Sequence, residues 1–284
     1  VVFANPNSPS TLVTVGQYDT YEFTWTEVNG ICSDTDDVTV NFYEQPVANA
    51  GPNAQTCGLT IALGATPSVG TGVWTRTSGP GAANFANPNS PTSNVTVTAY
   101  GQHVFRWTET NGTCSDFDEV TVDFFQQPIA NAGPDNETCG LSIGLAAVPS
   151  AGLGTWTRTS GSGAANFANP NDPTTTVTVT AYGTHVFRWT EVDGICSDSD
   201  EVSITFYQQP IANAGPDNQT CGLTISLGAI PSVGTGTWTL NSGPGAANFA
   251  NPNSPTSSVT VTAYGTYIFR WTEVNGICTD FDEV

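Results

Sequence analysis

The side chains of this chain best suited to chemistry are its cysteines and its carboxylates. Seven cysteines stand at positions 32, 57, 114, 139, 196, 221 and 278. A zinc site needs Cys or His in closely spaced pairs, and the sequence has none, which leaves disulfides as the expected use. Acidic residues follow each cysteine of one series: Asp34, Asp36 and Asp37; Asp116, Asp118 and Glu119; Asp198, Asp200 and Glu201; Asp280, Asp282 and Glu283. With Glu27, Glu109, Glu191 and Glu273 nearby, the pairs Asp34 and Asp36, Asp116 and Asp118, Asp198 and Asp200, and Asp280 and Asp282 could supply some of the six to eight oxygens that calcium takes. The same carboxylates could instead cap a hairpin, keep an exposed end soluble and discourage edge pairing. The two histidines, His103 and His185, occupy a position held elsewhere in the chain by Tyr21 and Tyr267. A catalytic base does not exchange with tyrosine, so packing is the expected role and no enzyme is predicted.

These residues recur. The cysteine gaps alternate between 25 and 57, a period of 82, and two tryptophan series obey it: Trp25, Trp107, Trp189 and Trp271, and Trp74, Trp156 and Trp238. A period of that length suits an autonomous small domain rather than a solenoid coil. The expected domains are a partial repeat over 1–45, repeats over 46–127 and 128–209, and a repeat over 210–284 lacking most of its last strand. Residue 1 falls inside a repeat and residue 284 inside a strand, so an excerpt of a longer array is expected.

Composition narrows the partners. The chain has 284 residues with 25 acidic and 5 basic side chains, a net charge of −20, and no lysine. Such a surface collects few phosphate contacts and is repelled by anionic lipid, so nucleic acid and membrane surfaces are excluded as partners. No apolar run approaches the roughly 20 residues of a membrane-spanning helix. The apolar fraction of 38% is enough to build cores.

Within one period, short runs rich in Val, Ile, Thr, Phe and Trp are separated by Gly, Pro and Asn, the pattern of an all-β domain. For the repeat at 46–127, strand A is expected to start after Pro46 and run to about Thr56, with B over 59–65, C near 73–77, E over 94–99 and F over 103–109. Phe105 and Trp107 share one face of strand F. Val120, Val122 and Phe124 of strand G share the core parity, while Glu119, Thr121 and Asp123 point to water. Asn111-Gly112 predicts a type I′ hairpin between F and G. Seven such strands pack as a two-sheet sandwich. Arg106, Arg188 and Arg270 are expected to pair across strands with Glu119 and its counterparts.

The Ala-Asn-Ala-Gly-Pro-Asp beginning at Ala130, the Thr-Cys-Gly before strand B, the strand-C tryptophan, the Tyr-Gly before strand F and the Asn-Gly-x-Cys hairpin carry a resemblance. Over its whole length the chain resembles the PKD-like, immunoglobulin-like repeats of giant Bacteroidota surface proteins. The Trp-Asp-Phe-Gly-Asp-Gly signature of typical PKD domains is absent, and Trp74 is followed by Thr-Arg-Thr-Ser-Gly. The resemblance implies an Ig-like sandwich, export to the cell surface and adhesin or gliding-filament roles. Tyr100, Tyr182 and Tyr264 stand where a tyrosine corner would, with an ordinary edge aromatic as the alternative.

Two disulfide schemes follow. The intradomain scheme joins Cys57 to Cys114, Cys139 to Cys196 and Cys221 to Cys278. In an Ig-like sandwich, however, the A–B and F–G turns lie at opposite poles, and a seven-residue strand spans roughly 23 Å against the roughly 7 Å limit between disulfide Cα atoms. Stacked repeats bring the A–B pole of one domain to the F–G pole of the next, which favours Cys57 with Cys196 and Cys139 with Cys278. Only Phe125 to Gln127 connect one strand G to the Pro128 that opens the next repeat, and proline stiffens the junction. The chain is therefore expected to be a tandem array of Ig-like sandwiches forming an extended rod. Its expected function is a structural stalk of a secreted cell-surface adhesin or filament. Its partners would be neighbouring repeats and other copies in a filament. The alternative is a weak, multivalent glycan- or surface-binding module.

Overall fold

The computed structural model describes all of residues 1–284 and contains strands, turns and no helix. The chain divides into two compact units, Val1–Gln126 and Gln127–Val284.

Unit 1 begins with β1 (Val2–Phe3), β2 (Val13–Thr14), β3 (Thr20–Asn29) and β4 (Cys32–Asn41). It continues with β5 (Ala54–Cys57), β6 (Thr60–Ala62), β7 (Thr71–Ser78) and β8 (Ala83–Phe85). Then come β9 (Asn94–Val97), β10 (Gly101–Asn111) and β11 (Cys114–Phe125). The last seven strands form one sandwich, with a sheet β5-β11-β10-β7 facing a sheet β6-β9-β8. β5 runs parallel to β11, and the other pairs are antiparallel. This is the Ig-like arrangement, in which the first strand joins the sheet of the last. Before it, β1 pairs with β2 and β3 with β4, in two separate two-stranded sheets.

In unit 2 the same sandwich recurs over β12 (Asn136–Cys139), β13 (Ser142–Gly144), β14 (Leu153–Ser160), β15 (Ala165–Phe167), β16 (Thr176–Val179), β17 (Gly183–Asp193) and β18 (Cys196–Tyr207). A second set follows: β19 (Thr224–Ser226), β20 (Thr235–Ser242), β21 (Ala247–Phe249), β22 (Ser258–Val261), β23 (Ile268–Asn275) and β24 (Cys278–Glu283). Its sheets are β20-β23-β24 and β19-β22-β21.

Three separate hydrophobic cores result, one per sandwich, each centred on a pair of tryptophans. Trp74 and Trp107 lie directly opposite in the register, 5.2 Å between ring centroids and tilted by 52°. Phe105, Val120, Val122 and Phe124 close around them, as the strand parity predicts. Each such side chain contributes about 1.5–3 kcal/mol on full burial. Gly72 is part of this packing, because a methyl there would fall inside the Trp107 ring; Gly154 and Gly236 stand in the same relation to Trp189 and Trp271. Residues 1–45 contain no buried side chain, although Phe3 and Phe23 still meet edge to face at 5.7 Å.

Three sequence expectations are corrected. The long strand A is reduced to Ala54–Cys57, because Pro46, Gly51 and Pro52 interrupt the ladder upstream. The F–G turn is not type I′. Asn111 is the last ladder residue, opposite Cys114, and only Gly112 has positive φ, +58°, so glycine takes the first central position of a two-residue turn, as in type II′. The corner tyrosines are also misplaced. Tyr100, Tyr182 and Tyr264 are exposed. The corner hydrogen bond is made by Tyr267, whose hydroxyl donates to the Ala263 carbonyl at 2.8 Å. His103 and His185 replace it, with Nε2 3.0 Å from the carbonyls of Ala99 and Ala181. A ring nitrogen and a phenol reach the same carbonyl, which is why the two residue types exchange.

Candidate functional site

Conserved geometry within the chain gathers at the pole of each sandwich where the F–G hairpin meets the polypeptide entering the repeat. The entry segment is held by side chains rather than by a strand. The N–H groups of Ala48 and Ala50 donate to Asp116 and Asp118, each at 2.9 Å. Ala130 and Ala132 donate likewise to Asp198 and Asp200, and Ala212 and Ala214 to Asp280 and Asp282. Residues two apart on a strand share a face, so both carboxylates of a pair reach the entry segment.

The carboxylates expected to offer oxygens to calcium thus hold the entry segment. In those three repeats the aspartates spend an oxygen on backbone N–H groups, and Asp34 and Asp36 accept from the adjacent N–H groups of Thr35 and Asp37. No group of three or more acidic, His or Cys side chains converges to hold a metal ion.

The nearby glutamates have a different role. Glu109 is 1% exposed. It accepts from the Trp107 indole at 2.8 Å, from the Ser68 N–H and from the Ser68 hydroxyl. The same hydroxyl accepts from the Val47 N–H at 2.9 Å, so entry segment, B–C loop and strand F are linked in one chain of hydrogen bonds. Ser150 with Glu191 and Ser232 with Glu273 repeat it. Burial pushes the Glu109 carboxyl up, and hydrogen bonds from Ser68, Trp107 and the Val69 backbone outweigh it, holding the group below its ordinary 4.5. Glu191 and Glu273 are lowered by the same balance. Ser68, Ser150 and Ser232 are not among the residues that spacing singles out; their recurrence after Pro67, Pro149 and Pro231 is the signal in the sequence that marks them.

At the junction inside unit 2, the β23–β24 hairpin docks on the end of β18. The Asn275 side-chain amide donates to the Gln208 carbonyl at 2.8 Å, and that of Gln209 to the Thr279 carbonyl at 2.9 Å. Gly276 lies against the Tyr207 ring so closely that no side chain would fit. Cys139, paired with Tyr207 at the end of β12, is joined to Cys278 by a disulfide with a Cα separation of 5.5 Å. The bond crosses between consecutive repeats. The intradomain scheme is not adopted: Cys139 bonds Cys278 rather than Cys196, and Cys114 and Cys221 are free, as is Cys32. The physical reason is the one of strand length, since the A–B and F–G ends of one sandwich are a strand apart.

The junction inside unit 1 has the same contacts without the bond. Asn111 donates to the Glu44 carbonyl and Gln45 to the Ser115 carbonyl, each at 2.9 Å, and Gly112 lies against Tyr43. The Cys114 sulfur is 3.9 Å from the Tyr43 carbonyl, as the Cys278 sulfur is 3.8 Å from that of Tyr207.

Away from the junction, Arg106, Arg188 and Arg270 pair with Glu119, Glu201 and Glu283 at 2.6–2.9 Å on the outer face of the larger sheet. These are half-exposed ion pairs of small energetic weight.

The sheet order, the parallel first strand and the facing tryptophans define a tandem array of Ig-like β-sandwiches. Among solved structures, the chain is similar to a three-Ig fragment of titin, I67–I69, at 11% identity over 85% of this chain and 96% of that one, with a TM-score of 0.44. It is also similar to the N-terminal eight Ig domains of Down syndrome cell adhesion molecule, at 12% identity over 98% of this chain and 48% of that one, TM-score 0.37. An endo-fucoidan hydrolase of glycoside hydrolase family 107 matches at 15% identity over 73% and 37%, TM-score 0.25. No family model and no curated protein matches the chain.

Proposed function

We propose that this chain is a non-catalytic structural stalk, part of a secreted bacterial cell-surface adhesin or extracellular filament of the PKD-like kind, working outside the cell. The observation that carries the proposal is the Cys139–Cys278 disulfide between consecutive repeats. Under tension, force passes from Cys139 directly to Cys278, and the polypeptide between them, most of two sandwiches, carries none. Cys57 and Cys196 have the same separation in sequence, and the proposal includes a second bond between them. Disulfides persist in oxidising compartments, which supports an extracellular setting. Short junctions opened by Pro46, Pro128 and Pro210 support stiffness, and neighbouring repeats are the principal partners.

Pulling single molecules of the full chain by its ends tests this. Oxidised protein should release far less contour length than protein treated with reductant, and the double variant Cys196→Ser with Cys278→Ser should restore much of the difference. Equal extension in all three would overturn the stalk. A second reading, a weak multivalent glycan-binding module, draws on uncharged rows such as Thr60, Thr96 and Asn84, which lie side by side across β6, β9 and β8. Glycan-array binding by the full chain would favour that reading.

A further inference from the structure

We propose that the Asn-Gly pair at the tip of the F–G hairpin is a self-modification site that the repeat junction holds shut. When the junction opens, Asn275 loses ammonia, and the altered turn no longer docks as before; Asn111 is the same site in unit 1. The inference rests on the geometry of the junction and not on the stalk reading.

The hairpin tips are Asn111-Gly112 between β10 and β11, Asp193-Gly194 between β17 and β18, and Asn275-Gly276 between β23 and β24. Glycine is required at the second position, because Gly276 has a φ of +57° and a methyl there would fall inside the Tyr207 ring. Gly112 is fixed in the same way, by a φ of +58° and the ring of Tyr43. The amide at the first position is the junction's donor: Asn275 gives a proton to the Gln208 carbonyl at 2.8 Å, and Asn111 to the Glu44 carbonyl at 2.9 Å. Docking therefore selects the one pair in which no side chain shields the backbone nitrogen from the amide before it.

Docking also restrains that pair. Asn275 is half-buried with its amide turned to the preceding repeat, while Gly276 is exposed to water. Cys278, the register partner of Asn275, is tied to the preceding repeat by its bond to Cys139, which keeps the tip in place. Reaction requires the amide to leave the Gln208 carbonyl and bring its Cγ onto the Gly276 nitrogen. A bond then forms between that nitrogen and Cγ, the Cγ–Nδ2 bond breaks, and the backbone proton departs with Nδ2 as ammonia, leaving a cyclic imide. Water opens the ring. Attack at Cγ gives aspartate, and attack at the backbone carbonyl carbon gives isoaspartate, whose main chain runs through Cγ. One water is consumed for each ammonia released, and nothing is oxidised or reduced.

Either product presents a carboxylate, which has no proton for the Gln208 carbonyl. Isoaspartate also lengthens the turn by one main-chain carbon, which moves Gly276 off the Tyr207 ring. The hairpin itself survives an acid at this position, since Asp193 keeps its register with Cys196. The loss falls on the junction, and it is not reversed when tension or reductant is removed.

The test compares the oxidised full chain, its Cys278→Ser and Gln209→Ala variants, and a synthetic peptide of residues 271–277, all held at mildly alkaline pH. Digestion and mass spectrometry follow conversion of Asn275 and Asn111. Asn275 should convert about tenfold more slowly in the oxidised chain than in the peptide, the protection expected of a locally closed segment. Cys278→Ser should recover a large part of that gap and leave Asn111 unchanged. Gln209→Ala removes the other junction bond, to the Thr279 carbonyl, without touching the disulfide, and should raise the rate to a lesser degree. The consequence is read separately, as the rate at which Cys139 and Cys278 rejoin in a glutathione buffer after reduction, and Asn275→Asp should slow it about tenfold. Equal rates for Asn275 in the chain and in the peptide, or no acceleration in either variant, would overturn the guarded site. Unchanged rejoining in Asn275→Asp would overturn its effect on docking, and neither result touches the pulling experiment.

Discussion

Ser150 and Glu191, 41 residues apart in sequence, are bound to each other twice, through the serine N–H and through its hydroxyl. The glutamate is 1% exposed, and the indole of Trp189 donates to its other side. A carboxylate in such a place is tolerable only because its oxygens are satisfied. Removing it leaves an indole, a hydroxyl and a backbone N–H without their acceptor.

Glu191→Ala should therefore destabilise its sandwich by about 2–4 kcal/mol, the cost of orphaning buried donors that had bonded a charged group. Urea unfolding followed by tryptophan fluorescence measures this. Ser150→Ala should cost less, because the Trp189 and backbone bonds to the carboxylate remain.

The same carboxylates set an acid response. Their folded pKa values lie below the ordinary 4.5, so the unfolded chain takes up protons first as pH falls. Their contribution is complete well above 4.5, declines as pH drops below that value, and is lost as pH passes through the lowered folded values. Thermal melts between pH 7 and pH 3 should show this fall. A variant carrying Gln at 109, 191 and 273 should start less stable and show a flatter acid limb.

Asp200→Ala should cost about 1–3 kcal/mol by releasing the Ala132 N–H, and Asp200→Asn should recover much of that, since an amide oxygen still accepts. Adding a calcium chelator to the unmodified protein should leave its melting temperature unchanged. A drop of several degrees would show that these carboxylates hold an ion after all.

Gly154→Ala places a methyl within the Trp189 ring. The expected loss is about 3 kcal/mol, the upper range for overpacking a filled core. Circular dichroism melts of Gly154→Ala against the unmodified protein measure it.

Cys278→Ser should lower the stability of unit 2 by about 2–4 kcal/mol and let its two sandwiches unfold separately. Calorimetry should then resolve two transitions where the oxidised protein shows a more concerted one.

Much of this architecture is legible in one dimension because it repeats. The 82-residue period, the tryptophan series and the alternation over Val120, Val122 and Phe124 are local or periodic signals, and each reports which face of a strand is buried. The entry segment was not legible in that way. Pro46, Gly51 and Pro52 signal a broken strand, yet nothing local says that Asp116 and Asp118, 68 residues away in each case, replace the missing ladder. The aspartates invite a metal reading because spacing cannot show which oxygens are already taken. The corner hydrogen bond was missed for a similar reason: Tyr100 precedes strand F in sequence, but the hydroxyl that reaches back belongs to position 267, where His103 and His185 hide the pattern.

The sequence by itself determined the all-β class, the repeat length and the residues available to each core, since strand parity and turn residues act over a few positions. It also excluded lysine isopeptide crosslinks, because it contains no lysine. Only the tertiary structure decided which cysteines meet. Cys139 has Cys196 57 residues away in its own repeat and Cys278 at a separation of 139, and it bonds the more distant one. A rigid sandwich holds its own two ends a strand length apart, while the junction brings the ends of consecutive repeats into contact.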